Sequence, residues 1–293
     1  MSLILQVLQT VAPVFILAGI GVIWVKLGWE YRVQFVTRLT MTLSVPALIF
    51  VSLMKTEIDP QALRDTAVAT IITYLVVGLL VLALLKALKL DIRTFLAPLS
   101  FGNTGNLGLP LALFAFGSAG FDFAVVVFAI MAILSFTIGV WVVSGGGSPV
   151  SAIREPMVWA TILGGLFLIN GWMLPTWTVN TLDLVGQIAI PVMLITLGVA
   201  IARLKLGSFG RAIWLSAVKY VICISVPLAV GLLFALPPIA FGVLIIQVST
   251  PVAVTSYMLA EKYDADADQV AGLAMVSTLM SIIVIPVLLA FLM

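Results

Sequence analysis

Apolar residues occur along the chain in blocks of about twenty, separated by short polar segments. Because a membrane-spanning helix requires roughly 20 mostly apolar residues, each block predicts one transmembrane helix. The ten predicted spans, numbered 1 to 10, cover residues 5–25, 35–54, 66–85, 94–116, 123–143, 157–174, 184–202, 212–236, 240–260 and 269–292. The pattern predicts an all-α polytopic membrane protein with ten transmembrane helices.

The composition is typical of a membrane protein and excludes several kinds of functional site. Hydrophobic residues make up 63% of the 293 positions and charged residues 9%, against about 25% charged residues in soluble domains. The chain has no histidine and one cysteine, Cys223, which lies in an apolar block. These counts exclude a disulfide framework, a haem attachment and a Cys/His metal site. We therefore expect neither a metal nor a cofactor.

The basic residues of the connecting segments are unevenly distributed. The segments after spans 1, 3, 5, 7 and 9 hold Lys26, Arg32, Arg38, Lys86, Lys89, Arg93, Arg154, Arg203, Lys205, Arg211 and Lys262. The segments on the opposite side hold only Lys55 and Arg64. Since positive loops remain in the cytoplasm, we expect a multi-pass protein of the cell inner (plasma) membrane with both termini outside.

Span 4 is interrupted by the sequence Gly-Asn-Thr-Gly-Asn-Leu-Gly-Leu-Pro at residues 102–110. Non-helical backbone at membrane depth is tolerated only where it is buried in protein or lines a cavity. Pro110 removes a backbone donor and disrupts the preceding turn, so Asn106 or a neighbour is expected to cap the outer half of the helix. The alternative is a packing kink, in which small residues allow close helix contact.

Span 9 carries a second break at Ser249-Thr250-Pro251. A hydroxyl residue followed by proline is typical of a helix start, with proline at the first helical position. The alternative is that Ser249 and Thr250 only satisfy the backbone of their own helix. Because spans 4 and 9 run in opposite directions, the positive ends of their second halves would converge at one depth. That arrangement favours an anion such as a carboxylate.

Prolines also indicate an internal repeat. Pro13, Pro46 and Pro110 recur as Pro156, Pro191 and Pro251, after 143, 145 and 141 residues. Unless the recurrence is coincidental, it predicts a 5+5 inverted repeat: residues 1–143 form the first half, 144–156 a short cytoplasmic linker, and 157–293 the second half. Inverted repeats with paired interrupted helices are typical of secondary transporters.

Charged residues are sparse inside the spans. No acidic residue lies at the centre of a span, so a carboxylate-based proton relay is not expected. Lys219 is the one charge inside a span, in span 8. One interpretation is that Lys219 lies near an anionic substrate. The alternative is that its side chain extends to the cytoplasmic face of the membrane (snorkelling).

The motif at 102–110, together with residues 259–266 and the Ser/Thr-bearing helix that ends at Pro286, resembles the auxin efflux carrier (PIN-like) family, in particular its bacterial members. The resemblance implies crossing helices 4 and 9, a scaffold of helices 1, 2, 6 and 7, and a transport domain of helices 3–5 and 8–10. It also implies elevator-type movement and a homodimer. The substrate carboxylate would contact Asn103 or Asn106.

Together these features predict a non-enzymatic secondary transporter of small organic anions, with a small carboxylate substrate, a lipid bilayer around it and no nucleic-acid partner. The alternative is a sodium-coupled organic-anion symporter of the bile-acid-transporter type, with sodium ligands from Gln247, Ser249 and Asn103. The candidate substrate-binding residues are Asn103, Thr104, Asn106, Pro110, Lys219, Gln247, Ser249, Thr250 and Pro251.

Overall fold

The computed structural model describes residues 3–146, 156–203 and 209–292. Within these ranges the chain is helical and forms no strand. The helices are α1 (Leu3–Lys26), α2 (Val33–Leu39), α3 (Val45–Lys55), α4 (Pro60–Ala87), α5 (Ile92–Ser100), α6 (Leu109–Leu134), α7 (Val140–Val143), α8 (Pro156–Asn170), α9 (Thr176–Gln187), α10 (Ala189–Arg203), α11 (Phe209–Leu233), α12 (Pro238–Val248), α13 (Val254–Lys262) and α14 (Ala267–Leu292). Most of the predicted linker, with Arg154, and also Lys205, lie outside the described residues.

Seven helical runs among the described residues are long and apolar enough to cross a membrane. They are Val7–Lys26, Val33–Lys55, Pro60–Ala87, Thr104–Val143, Thr176–Arg203, Gly210–Leu233 and Ala267–Leu292. The apolar helices α8 and α12 are shorter. The predicted class, an all-α polytopic membrane protein, is therefore confirmed.

Two of the prolines that indicated the repeat, Pro46 and Pro110, each follow a π-helical turn. The turn Thr40–Ser44 joins α2 to α3 and ends two residues before Pro46. The turn Thr104–Gly108 leads into α6 and ends two residues before Pro110. Proline lacks an N–H and its ring collides with the carbonyl group four residues earlier, so the preceding turn widens instead of closing as a regular α-turn.

The structure corrects the boundary between spans 4 and 5. The sequence predicts a loop at residues 117–122, but helix α6 continues through this region with a single non-helical residue, Gly117. The φ of Gly117 is 67° and its ψ is −157°, a conformation that residues with a side chain rarely adopt. One glycine therefore makes the break, and Asp122 lies inside a helix instead of a loop.

Helices α1 and α10 pack closely against each other, and α3, α8 and α9 form a second packed group. A Cβ atom on Gly21 of α1 would lie 2.0 Å from the carbonyl oxygen of Ile195 in α10, and one on Gly198 would lie 1.8 Å from that of Ala18. Helix α3 packs against both α8 and α9. Small residues at such contacts let membrane helices approach closely. The remaining long helices, including α4, α6, α11, α12 and α14, pack mainly with one another.

Candidate functional site

The interruptions of spans 4 and 9 meet inside the protein. Helix α5 ends at Ser100 and α12 ends at Val248. The Asn103 N–H donates to the carbonyl oxygen of Pro251 over 2.7 Å, and Gly102 pairs with Val252 in an antiparallel bridge. The two broken helices are therefore joined by backbone hydrogen bonding at their breaks, a point that we call the crossover (residues 101–103 and 249–253).

Gly102 is required by the close approach at the crossover. A Cβ atom at this position would lie 2.2 Å from the Thr250 Oγ1 and 2.9 Å from the Thr250 carbonyl oxygen. No side chain fits such a gap without movement of the Thr250 backbone. The first glycine of the 102–110 motif therefore permits the contact between the two breaks.

The predicted helix start at Pro251 is wrong. Helix α13 begins at Val254, with Ala253 as its N-cap residue, and the Thr250 Oγ1 donates backwards to the Gln247 carbonyl oxygen over 2.7 Å. Thr250 thus closes α12 instead of capping the following helix. Pro251 lies between α12 and α13, and its carbonyl oxygen accepts from the Asn103 N–H.

The predicted capping role of Asn106 is also wrong. The second half of span 4 restarts at Thr104, with Asn103 as the N-cap residue, and no side chain caps it. Asn106 lies in the middle of the π-helical turn, and Pro110 lies two residues beyond that turn. The break is earlier than predicted because the pairing with Val252 ends helix α5 before the proline can act.

Helix α14 is hydrogen-bonded to the crossover through Ser277. The Val252 N–H donates to the Ser277 Oγ over 3.0 Å, and the Tyr220 hydroxyl donates to the Ser277 carbonyl oxygen over 2.7 Å. Ser277 is fully buried. It therefore fixes the backbone of the second break, a role that sequence reasoning did not identify.

A cavity of about 600 Å³ opens in front of the crossover. The crossover residues Phe101, Gly102, Asn103 and Ala253 line the end that we call its inner end, and the exposed residues Gln34, Arg38, Glu261 and Lys262 line the end that we call its mouth. Its lining is largely apolar, with polar groups at the inner end and at the mouth. The lining residues are Gln34, Thr37, Arg38, Met41, Phe101, Gly102, Asn103, Gly105, Asn106, Phe128, Met131, Ala132, Ser135, Phe136, Met157, Ala253, Thr255, Ser256, Met258, Leu259, Glu261 and Lys262.

Of the predicted site residues, Asn103 and Asn106 line this cavity. Asn103 is 4% exposed, and its amide nitrogen Nδ2 has no hydrogen-bond partner. The other predicted residues are buried and absent from the lining: Thr104, Pro110, Lys219, Gln247, Ser249, Thr250 and Pro251. Snorkelling of Lys219 is excluded, because its side chain is 1% exposed.

Helix α2 and the π-helical turn after it contribute a cavity wall that sequence reasoning missed. Gln34, Thr37, Arg38 and Met41 all line the cavity, and their spacing of three, four and seven residues from Gln34 places them on one helix face. This spacing is visible in the sequence and could have identified them. The charge pattern assigned Arg38 to a connecting segment, whereas the structure places it in helix α2. No ion pair among the described residues includes Arg38.

Comparison with known proteins places these features in one family. The sequence profile of a family described as membrane transport proteins matches residues 140–289. An uncharacterized transporter from Methanothermobacter thermautotrophicus is 27% identical over 294 residues, which covers 95% of this chain and 96% of that protein. An uncharacterized transporter from Methanocaldococcus jannaschii is 25% identical over 278 residues, covering 87% and 88%.

Both relatives are archaeal, so they do not support the expected grouping with bacterial members. The family does agree with the resemblance of the 102–110 motif to auxin efflux carriers. The chain belongs to the membrane transport protein family, the family of the auxin efflux (PIN-like) carriers.

Proposed function

We propose that the protein is a secondary transporter of organic anions and that the substrate carboxylate binds at the crossover. The observation that carries the proposal is the buried amide nitrogen of Asn103, which has no partner and lies at the inner end of the cavity. Next to it begins the helical run that starts at Thr104, whose first N–H groups lack helical partners. Donors at the positive end of a helix favour an anion.

The lining of the cavity indicates the rest of the substrate. Phe101, Phe128, Met131, Met157 and Met258 form apolar walls. Apolar walls with a few placed polar groups are typical of sites for small molecules with an apolar body. A carboxylate attached to an apolar or aromatic body therefore fits better than a compact dicarboxylate.

Helix lengths support ten membrane crossings. Counted from the start of α5 at Ile92 to Val143, Gly117 separates residues 92–116 from residues 118–143, that is 25 and 26 residues. Each part corresponds to about 38 Å at the α-helical rise, enough for a hydrocarbon core of about 30 Å. The break at Gly117 would then separate two crossings. Contacts support the 5+5 inverted repeat: Gly21, eight residues after Pro13, packs on α10, and Gly164, eight residues after the matching Pro156, packs on Leu53 of α3.

The packing also supports elevator-type movement. Helices α1–α3 and α8–α10 would form the scaffold, while α4–α7 and α11–α14 would form a transport domain that carries the crossover. The exposed apolar residues Ile16 of α1 and Ile162 of α8 leave scaffold surface for lipid and for a second copy in a homodimer. The protein would lie in the plasma membrane with both termini outside, and would release its substrate chemically unchanged.

Uptake into proteoliposomes tests the proposal. We expect flux of benzoate above that of protein-free liposomes, slower protein-dependent flux of acetate and succinate, and no protein-dependent flux of the neutral isostere benzamide, with pH and sodium varied independently. Equal flux of benzamide and benzoate, or no flux of any carboxylate in either direction, would contradict it.

A sodium-coupled symporter is the second candidate. The Gln247 Oε1 and the Thr104 Oγ1 are buried oxygen atoms without hydrogen-bond partners, and oxygen atoms are what a hard cation requires. The Ser249 hydroxyl, another suggested ligand, donates to the Cys223 carbonyl oxygen over 2.9 Å. Benzoate flux that stops when sodium is replaced by potassium would favour this candidate, whereas sodium-independent flux would eliminate it.

A further inference from the structure

Lys219 is a charge in the protein core with no acidic partner. It lies in the middle of α11 and is 1% exposed. Its Nζ donates to the Leu99 carbonyl oxygen over 3.4 Å and lies 3.7 Å from the Cys223 Sγ. No ion pair among the described residues includes Lys219. Because an unpaired buried charge is strongly destabilising, its position calls for a role other than an ion pair.

The contact between Lys219 and Leu99 follows from the break in span 4. One more α-helical turn of α5 would join the Asn103 N–H to the Leu99 carbonyl oxygen. Asn103 donates to Pro251 instead, which leaves the Leu99 carbonyl oxygen without its helical donor at the negative end of α5. Lys219 fills that place, together with the Cys223 Sγ at 3.8 Å.

Helix α11 is fastened to the second break in the same way. Pro227 lies inside α11 and has no N–H, so the Cys223 carbonyl oxygen four residues earlier lacks its helical donor. The Ser249 hydroxyl at the end of α12 donates to that oxygen over 2.9 Å. Residues one turn apart on α11 therefore hold the ends of α5 and α12.

We propose that Lys219 is the positioning residue of the crossover and the source of its positive charge. It replaces the N–H that Asn103 donates to Pro251, and its charge favours a carboxylate at Asn103 over a neutral molecule of the same shape. The charge acts across the crossover because Leu99 is four residues from Asn103 and the intervening protein has a low dielectric constant. The carboxylate preference rests on the proposed transport function, whereas the positioning role does not.

Hydrogen exchange of the ligand-free protein tests the positioning role. In Lys219→Met the Leu99 carbonyl oxygen loses its charged donor, so the amides of residues 101–108 should exchange about tenfold faster or more, the factor expected for one charge-assisted hydrogen bond. Lys219→Arg, which keeps a cationic donor, should restore slow exchange at least in part. The matched control is Lys86→Met, an exposed lysine in the last turn of α4, and it should exchange like the wild type. Wild-type exchange in Lys219→Met, or equally fast exchange in Lys219→Met and Lys219→Arg, would overturn the proposal.

Binding of benzoate and benzamide tests the charge. Lys219→Met should weaken benzoate binding by roughly tenfold and change benzamide binding by less than about twofold, because only benzoate interacts with the lost charge. Equal weakening of both ligands would indicate a purely structural residue and would overturn the assignment of the charge. If the wild type binds neither ligand nor any other carboxylate, the proposed function fails, and hydrogen exchange alone decides the role of Lys219.

Discussion

The backbone N–H of Asn103 donates to the carbonyl oxygen of Pro251 over 2.7 Å and joins the two halves of the chain at their breaks. This bond has two consequences. It leaves the Leu99 carbonyl oxygen to Lys219, and it keeps the Asn103 side chain at the inner end of the cavity, where its amide nitrogen has no partner. The hydrogen bond that replaces a helical turn therefore also holds the proposed ligand-binding group at the cavity without a protein partner.

Removal of the second cavity amide should weaken substrate binding. In Asn106→Ala we expect the benzoate affinity to fall by about tenfold, the effect of one hydrogen bond to a charged group, while the melting temperature in detergent stays close to that of the wild type. Isothermal titration calorimetry measures the affinity. Asn170→Ala, at the exposed end of α8, is the matched control and should bind benzoate normally. Unchanged affinity and flux in Asn106→Ala would remove Asn106 from the site.

A methyl group at Gly102 should disrupt the crossover. Gly102→Ala places a Cβ atom 2.2 Å from the Thr250 Oγ1, and such overpacking costs about 1–3 kcal/mol. We expect a lower melting temperature and little transport. Gly78→Ala, where no atom lies within 4 Å of the added Cβ, should leave the melting temperature unchanged or raise it.

The double variant Gly102→Ala with Thr250→Ala removes the nearer clashing atom and should recover part of the stability. It should not recover all of it, because the Thr250 carbonyl oxygen would remain 2.9 Å from the new Cβ. A stable Gly102→Ala variant with full transport would show that the close approach at the crossover is not needed.

Arg38 should attract the anion to the mouth of the cavity. We expect Arg38→Gln to raise the KM for benzoate by roughly fivefold and to make that KM less dependent on ionic strength. The variant loses the electrostatic attraction between Arg38 and the anion, and salt screens such a surface attraction. The kcat should change little. Arg64→Gln is the control, since Arg64 is exposed and does not line the cavity. A fall in kcat with constant KM would instead assign Arg38 to the movement of the transport domain.

Ser52 should stabilise the conformation described here. Its hydroxyl donates to the Asp122 Oδ1 over 2.6 Å and links α3 to α6, which belong to the proposed scaffold and transport domain. In Ser52→Ala we expect the domain to leave this conformation more often, by a factor of about ten for one hydrogen bond to a carboxylate.

The measurement is maleimide labelling of Ser256→Cys, a cavity residue, in a Cys223→Ser background. The cavity is lined by Lys262, which the charge pattern predicts to be cytoplasmic, so labelling from that side should be slower when Ser52 is also replaced by alanine. Thr42→Ala is the control, because the Thr42 hydroxyl donates only to Arg38 of its own helical segment. Faster or unchanged labelling in Ser52→Ala would contradict the expectation that the hydrogen bond between Ser52 and Asp122 stabilises this conformation.

The sequence predicted which two spans are interrupted, but not the residues at which the helices end and restart. Pro110 and Pro251 correctly marked the two interrupted segments, yet span 4 restarts at Thr104 and α13 begins at Val254. Proline predicts where a helix is weakened, but pairing between Gly102 and Val252 decides where it ends. That pairing joins residues 150 positions apart (252 − 102), and no local pattern encodes it.

The sequence by itself determined the class of the protein, because transfer of apolar residues into a bilayer depends on composition and length alone. It also determined that spans 4 and 9 are interrupted, since glycine, asparagine and proline are unsuited to an uninterrupted helix. Only the tertiary structure decided which polar groups face the cavity. Asn103 lines it, while Thr250 and Lys219 are buried behind it, because the direction of each side chain follows from the hydrogen bonds that join the two breaks.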